Sequence, residues 1–169
     1  MSLIQHIPYN TSAGNLYPYE VLYYHKGTSG DKSLLAAYVL SEMGYGTALF
    51  VYLPERYVAL GLKCPERYST AGSGYCFVET TYRAIMTYSN GTYNGVSKRI
   101  SSPVLIPIAD GESFDQIDEV YVDAESYQNT LKSAVVNNTG IYMDNINYGI
   151  YGDLRQKYGL FDLDLVKAR

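Results

Sequence analysis

The segment from Tyr23 to Tyr82, YYHKGTSGDKSLLAAYVLSEMGYGTALFVYLPERYVALGLKCPERYSTAGSGYCFVETTY, constrains the fold more than any other part of the chain. Gly27-Thr28-Ser29-Gly30 is a turn, and a helix follows it with Asp31 in the first turn, where a carboxylate complements the helix dipole. Leu34, Leu35, Tyr38, Val39 and Met43 recur at i, i+1, i+4 and i+5, which predicts one buried face, and Gly44 supplies the stop. Three runs rich in β-branched and aromatic residues come next, at 47–53, 57–63 and 75–81. The first is almost continuously apolar, as in a strand covered on both faces. A helix followed by short consecutive strands predicts an α+β fold in which that helix packs on an antiparallel sheet.

The flanks extend this pattern. LIQHIPY at 3–9 is a short apolar segment, 10–18 is loop material, and Pro18 opens a short helix. Asn90-Gly91 and Asn94-Gly95 mark turns, and SSPVLIPIADG is a strand broken by prolines. Residues 123–136 are helical in pattern, with Ala124, Tyr127, Leu131 and Val135 on one side, and a last helix over about 147–158 gives a helical C-terminus. No repeat or linker divides the 169 residues, so 1–169 is expected to be a single domain.

Charge and spacing exclude several functions. A net charge of -4 argues against nonspecific nucleic-acid binding, which needs a basic surface. The longest apolar run, Leu34 to Leu40, is too short to span a bilayer. The N-terminal MSLIQHIPYN has neither the basic nor the apolar region of a signal peptide, so the expected setting is the cytoplasm or a larger assembly. Two histidines and two dispersed cysteines lack zinc spacing. The glycines form no phosphate-binding loop. The acidic run Asp110, Glu112, Asp115, Asp118, Glu119, Asp123 and Glu125 lacks the spacing of a calcium loop and is expected to be a solvated acidic face. No cofactor is expected.

Cys64 and Cys76 bracket the loop end of a hairpin between the second and third strands. They form either a cross-strand disulfide or two buried free thiols. The twenty tyrosines, against four phenylalanines and no tryptophan, are the compositional outlier. Tyrosine combines a rigid apolar body with a polar tip. The excess fits a compositional bias with rings packed over strands, or a tyrosine-rich surface for recognition or assembly.

Ser29 heads the candidate chemistry. A nucleophile just before a helix N-terminus sits in the field of unpaired backbone amides, which lowers a thiol pKa. A serine gains little from that field and needs a hydrogen-bonded base. Strand order brings Tyr57, at the start of the second strand, beside Glu79, at the end of the third, with both expected to face the helix start. A tyrosine, with an unperturbed pKa of about 10, is a poor base at neutral pH. His25, four residues before Ser29, and His6 are the available substitutes.

These motifs resemble archaeal members of the transglutaminase-like superfamily, which has a papain-like α+β core. LIQHIPY and YPYEVL resemble the family's entry segment, and Gly27 to Ser33 its nucleophile turn. LGLKCP at 60–65 and GYCFVETT at 74–81 resemble its second and third strands, and YGDLRQKYGL fits near the C-terminus. By position the resemblance places the family cysteine on Ser29. The histidine falls on Tyr57 (Arg56 is the second choice), the acidic member on Glu79, and an oxyanion-supporting residue on Gln5. With cysteine and histidine both replaced, the family's thiolate chemistry does not transfer. The resemblance then implies a catalytically inactive domain that binds a protein or peptide, or self-assembles, through its tyrosines. The alternative is a hydrolase or acyltransferase using Ser29 with a relocated base such as His25.

Overall fold

The computed structural model describes residues 1–12, 14–86, 100–137 and 140–161. In chain order these form α1 (Ser2–Gln5), α2 (Pro18–Tyr24), α3 (Ser29–Glu42), β1 (Thr47–Tyr52), β2 (Tyr57–Lys63) and β3 (Tyr75–Val78). There follow β4 (Val104–Ala109), α4 (Ile117–Ser133), β5 (Val135–Asn137), β6 (Gly140–Tyr142) and α5 (Asn145–Tyr158). The architecture is α+β. One antiparallel sheet runs β3-β2-β1-β4, and β5 and β6 pair as a separate hairpin. The Asn90-Gly91 and Asn94-Gly95 turns lie outside the described residues. Among the described residues no helix is long and apolar enough to cross a membrane.

α3 packs on β2 and β1 and organises the core. Its start is a capping box: the Thr28 hydroxyl accepts from the Asp31 amide at 3.2 Å, and the Asp31 carboxylate accepts from the Thr28 amide at 2.9 Å. Ser29 is therefore the first helical residue rather than the one before it. Gly44, at φ 91°, follows the Met43 cap.

The face of α3 that is buried differs from the apolar pattern. Tyr38 is 54% and Met43 65% exposed, and Val39 also faces solvent, whereas Lys32, Ser33, Leu35, Ala36 and Ala37 are buried. The small side chains let α3 approach the sheet closely, and polar residues in its first turns find partners there. Position relative to the sheet outweighs hydrophobicity in choosing the face.

The two sheet faces carry separate clusters. Leu60, Leu62 and Val78 pack with Leu35, Ala36 and Val21 on the α3 side. Phe50, Tyr52, Tyr57, Ala59 and Phe77 form the other cluster. This alternation follows from side chains pointing to opposite faces along each strand. β1 pairs on both edges, and each of its residues is buried or half-buried, in keeping with its apolar run.

Other boundaries move. β1 ends at Tyr52, short of 53, and β3 ends at Val78, short of 81, where Glu79 and Thr81 bond each other instead of continuing the strand. The apolar segment 3–9 contributes only the single turn α1. α4 begins at Ile117 rather than 123, since buried Ile117 and Val120 extend its apolar stripe ahead of Ala124. It ends at Ser133, so Val135 lies in β5 and is exposed.

Leu62 faces Cys76 in the β2–β3 register, and Cys64 lies one step past β2. With Cα atoms 5.8 Å apart, the two cysteines are joined as a disulfide. The acidic run is exposed except for half-buried Asp123, and it is partly ion-paired. Asp110 meets Lys63 at 2.8 Å, Asp118 meets Arg67 at 3.1 Å, and Lys157 bridges Glu119 and Asp123. No cluster of His, Cys, Asp or Glu suited to a metal ion occurs among the described residues.

Candidate functional site

The start of α3, the start of β2 and the end of β3 meet, but the expectation that Tyr57 faces the helix start fails. Its ring lies with Phe50, Ala59 and Phe77 on the sheet face away from α3, so Tyr57 bonds Glu79 while the Ser29 side chain bonds a backbone amide. The Ser29 hydroxyl oxygen accepts from the Val58 amide at 3.1 Å, which holds Ser29 against the residue following Tyr57. The Tyr57 hydroxyl donates to Glu79 Oε2 at 2.6 Å. The other carboxylate oxygen of Glu79 accepts from the amide and the hydroxyl of Thr81, each at 2.6 Å. Ser29, Tyr57 and Glu79 are all buried.

Tyr57 has the protonation behaviour opposite to that of a base. Burial, the negative charge of Glu79 and the hydrogen bond to it push the phenol's pKa far up. The Tyr57 hydroxyl is thus held as a donor to Glu79.

Gln5 reaches the same place from α1. Its Nε2 donates to the carbonyls of Glu79 at 2.9 Å and Ala84 at 3.0 Å, and its Oε1 accepts from the Ala84 amide at 3.3 Å. Both amide protons are thus committed to backbone carbonyls, which leaves none for an oxyanion. The expected oxyanion-supporting role is replaced by a brace between α1 and the chain after β3.

Neither histidine is placed as the base. His25 is exposed and caps α2 in the left-handed conformation, at φ 49°. The His6 ring nitrogens lie 2.8 Å from the carbonyls of Ser2 and Phe161, which places the N-terminal segment against the region after α5.

The residue that motif reasoning passed over is Lys32. It is 0% exposed, one turn along α3 from Ser29. Its ammonium donates to the carbonyls of Ile7 at 2.6 Å, Gln5 at 3.4 Å and Thr81 at 3.4 Å, which matches three donors to three acceptors. Burial brings its pKa down to about 8, and the charge of Glu79 opposes that fall. The three carbonyls also favour the charged form. Lys32 is therefore an ammonium at neutral pH, a strut between three segments and not a base. Ser33 adds a bond to the Val58 carbonyl at 3.1 Å and one with the Thr80 hydroxyl at 2.9 Å. The available signal was spacing: Lys32, Ser33, Ala36 and Ala37 continue the helical face that Ser29 begins.

The network is closed. Among the described residues the buried side-chain polar atom found without a partner is Thr47 Oγ1, at the start of β1. A neighbouring cleft of about 230 Å³ is lined by Gln5, Thr81 and Arg83 among others, and Ser29, Tyr57 and Glu79 are not in its lining. Compared with protein-family models, curated proteins and solved structures, the chain gives no match.

A second feature lies beside the site. α2 presents Tyr19, Leu22 and Tyr23, at i, i+3 and i+4, to solvent, with Tyr17 and Tyr24 exposed beside them. Tyr17 and Tyr19 stack with ring centroids 6.2 Å apart, and Tyr23 meets Tyr24 edge-on at 5.1 Å. The expectation of rings packed over strands holds for Tyr52 and Tyr57 and fails for these.

Proposed function

We propose that this chain is a transglutaminase-like domain without catalytic activity, which binds a protein partner, or another copy of itself, through its tyrosine-rich surface. The observation that carries the reading is the 2.6 Å bond from the Tyr57 hydroxyl to Glu79. A triad needs a group there that takes a proton from the nucleophile and is oriented by the carboxylate. Tyr57 is oriented by the carboxylate but arrives already protonated. The motifs from Gly27 to Ser33 and from Gly74 to Thr81 support the family assignment, as does the meeting of α3, β2 and β3 around Glu79.

The binding role rests on α2. Exposed tyrosines arranged along one helix face supply rigid contact area at low entropy cost. The net charge of -4 points the surface toward proteins rather than nucleic acids.

A fluorophosphonate probe with peptide mapping tests the inactive reading. Ser29 is expected to remain unlabelled while the folded protein stays soluble. Labelling at Ser29 that disappears in Ser29→Ala would restore the hydrolase or acyltransferase reading, and His25→Ala would then show whether that histidine is the base.

A further inference from the structure

We propose that the cleft between α4 and the turn within the disulfide loop is a binding site for a neutral saccharide. It is a site separate from the Glu79 network and from α2, and it does not depend on the function proposed above.

The cleft has a volume of about 450 Å³ and is lined by Tyr68, Tyr121, Glu125, Gln128, Asn129 and Lys132, with Asp118 at one end. That volume falls within the roughly 300–1,000 Å³ of small-ligand sites. Its aromatic wall is held in place before any ligand arrives. The Tyr68 and Tyr121 rings lie 4.8 Å apart at 33°, and the Tyr121 hydroxyl donates to the Tyr68 carbonyl at 2.9 Å. The same carbonyl lies 3.3 Å from Cys76 Sγ, so the disulfide sits directly beneath the platform. Arg67 covers Tyr68 with its guanidinium 4.9 Å from the ring centroid and binds both oxygens of Asp118 at 3.1 Å. Tyr68 and Arg67 together hold the Asp118 carboxyl below its usual pKa.

Charge selects the ligand class. Asp118 is paired with Arg67, and the lining also carries one further charge of each sign, Glu125 and Lys132, so neither an anion nor a cation is favoured. The remaining chemistry is a carboxylate and two carboxamides beside the Tyr121 ring, Tyr68 being covered by Arg67. A carboxylate accepts from adjacent hydroxyls while a carboxamide both donates and accepts, and the weakly positive C–H face of a sugar ring stacks on an aromatic ring. A neutral oligosaccharide satisfies both.

The test is an amide-resolved NMR titration of the intact protein with maltotriose, cellotriose, mannotriose and chitotriose at millimolar concentration. At least one should shift the signals of Tyr121, Gln128 and Asn129. Tyr121→Ala should then weaken binding about tenfold or more, and the exposed-site changes Glu125→Gln and Gln128→Ala about three- to tenfold each, the range of a lost hydrogen bond. Glu125→Gln and Gln128→Ala keep the test valid if Tyr121→Ala fails to fold. No shift at these residues with any of the four sugars would overturn the proposal. So would shifts that persist unchanged in both polar variants, or tighter binding of a sulfated sugar than of any neutral one.

Discussion

Tyr57 and Tyr23 are the same residue in opposite surroundings. Tyr57 is 3% exposed, its ring in the cluster with Phe50, Tyr52 and Phe77 and its hydroxyl on Glu79. Tyr23 is 82% exposed, and its ring meets only the edge of Tyr24 among the ring contacts described. In the first case the phenol terminates a buried polar network that must be complete, because an unpaired buried group costs about 1–3 kcal/mol. In the second, nothing in the fold needs the ring where it is. The Glu79 region is thus built for stability and the α2 surface is free to be used. Substitutions in the two regions should separate cleanly.

The largest effect is expected at Lys32. Lys32→Met leaves three carbonyls without a donor and Glu79 without its nearby positive charge, so urea unfolding should show a loss of about 3–5 kcal/mol. Lys32 also sets a pH dependence. The amine's pKa is about 8 in the folded protein against the ordinary 10.5, so between those values the unfolded chain holds the proton and the folded protein does not. Stability should therefore rise from pH 8 toward pH 10, and Lys32→Met should abolish the rise. Above about pH 10 the trend should reverse, since burial raises the pKa values of Tyr52 and Tyr57 and the unfolded chain ionises first. A flat profile across pH 8–10 in the wild-type protein would break the account of Lys32.

Removing the disulfide comes next. The cysteines are 12 residues apart in sequence, and the Cys64→Ser, Cys76→Ser double variant should lose about 2–3 kcal/mol. Tyr57→Phe removes one hydrogen bond to a buried carboxylate and should cost about 1–3 kcal/mol, read by the same unfolding experiment. At the far end, Tyr19→Ser with Tyr23→Ser should change stability by less than about 0.5 kcal/mol. Light scattering should meanwhile show any concentration-dependent assembly of the wild-type protein reduced. A stability loss there comparable to that of Tyr57→Phe would erase the distinction between the two regions.

The order of α3, β1, β2 and β3 was legible because turn chemistry and strand propensity agree with the tertiary structure there. The 57–63 boundaries of β2 coincide with the run YVALGLK. The buried face of α3 was not legible from its apolar spacing. Tyr38 and Met43 carry hydrophobicity outward, and a lysine lies inside because three carbonyls from distant segments surround it. No local window contains that information. At the site, the proximity of Tyr57 and Glu79 followed from antiparallel strand order alone. What was missed is how completely Gln5, Thr81 and Lys32 close the network, since each acts through backbone carbonyls or amides that sequence does not position.

The central claim is that Tyr57 stands in the place of the base, and the most direct measurement restores that base. Ser29→Cys alone and Ser29→Cys with Tyr57→His would be compared by following the Cβ chemical shift of the introduced cysteine against pH. The account predicts an ordinary thiol titration in the single variant and a pKa lowered below neutrality in the double variant, where an imidazole oriented by Glu79 pairs with the thiolate. Identical titrations in the two variants would show that position 57 does not serve the residue at 29, and would contradict the reading of this site.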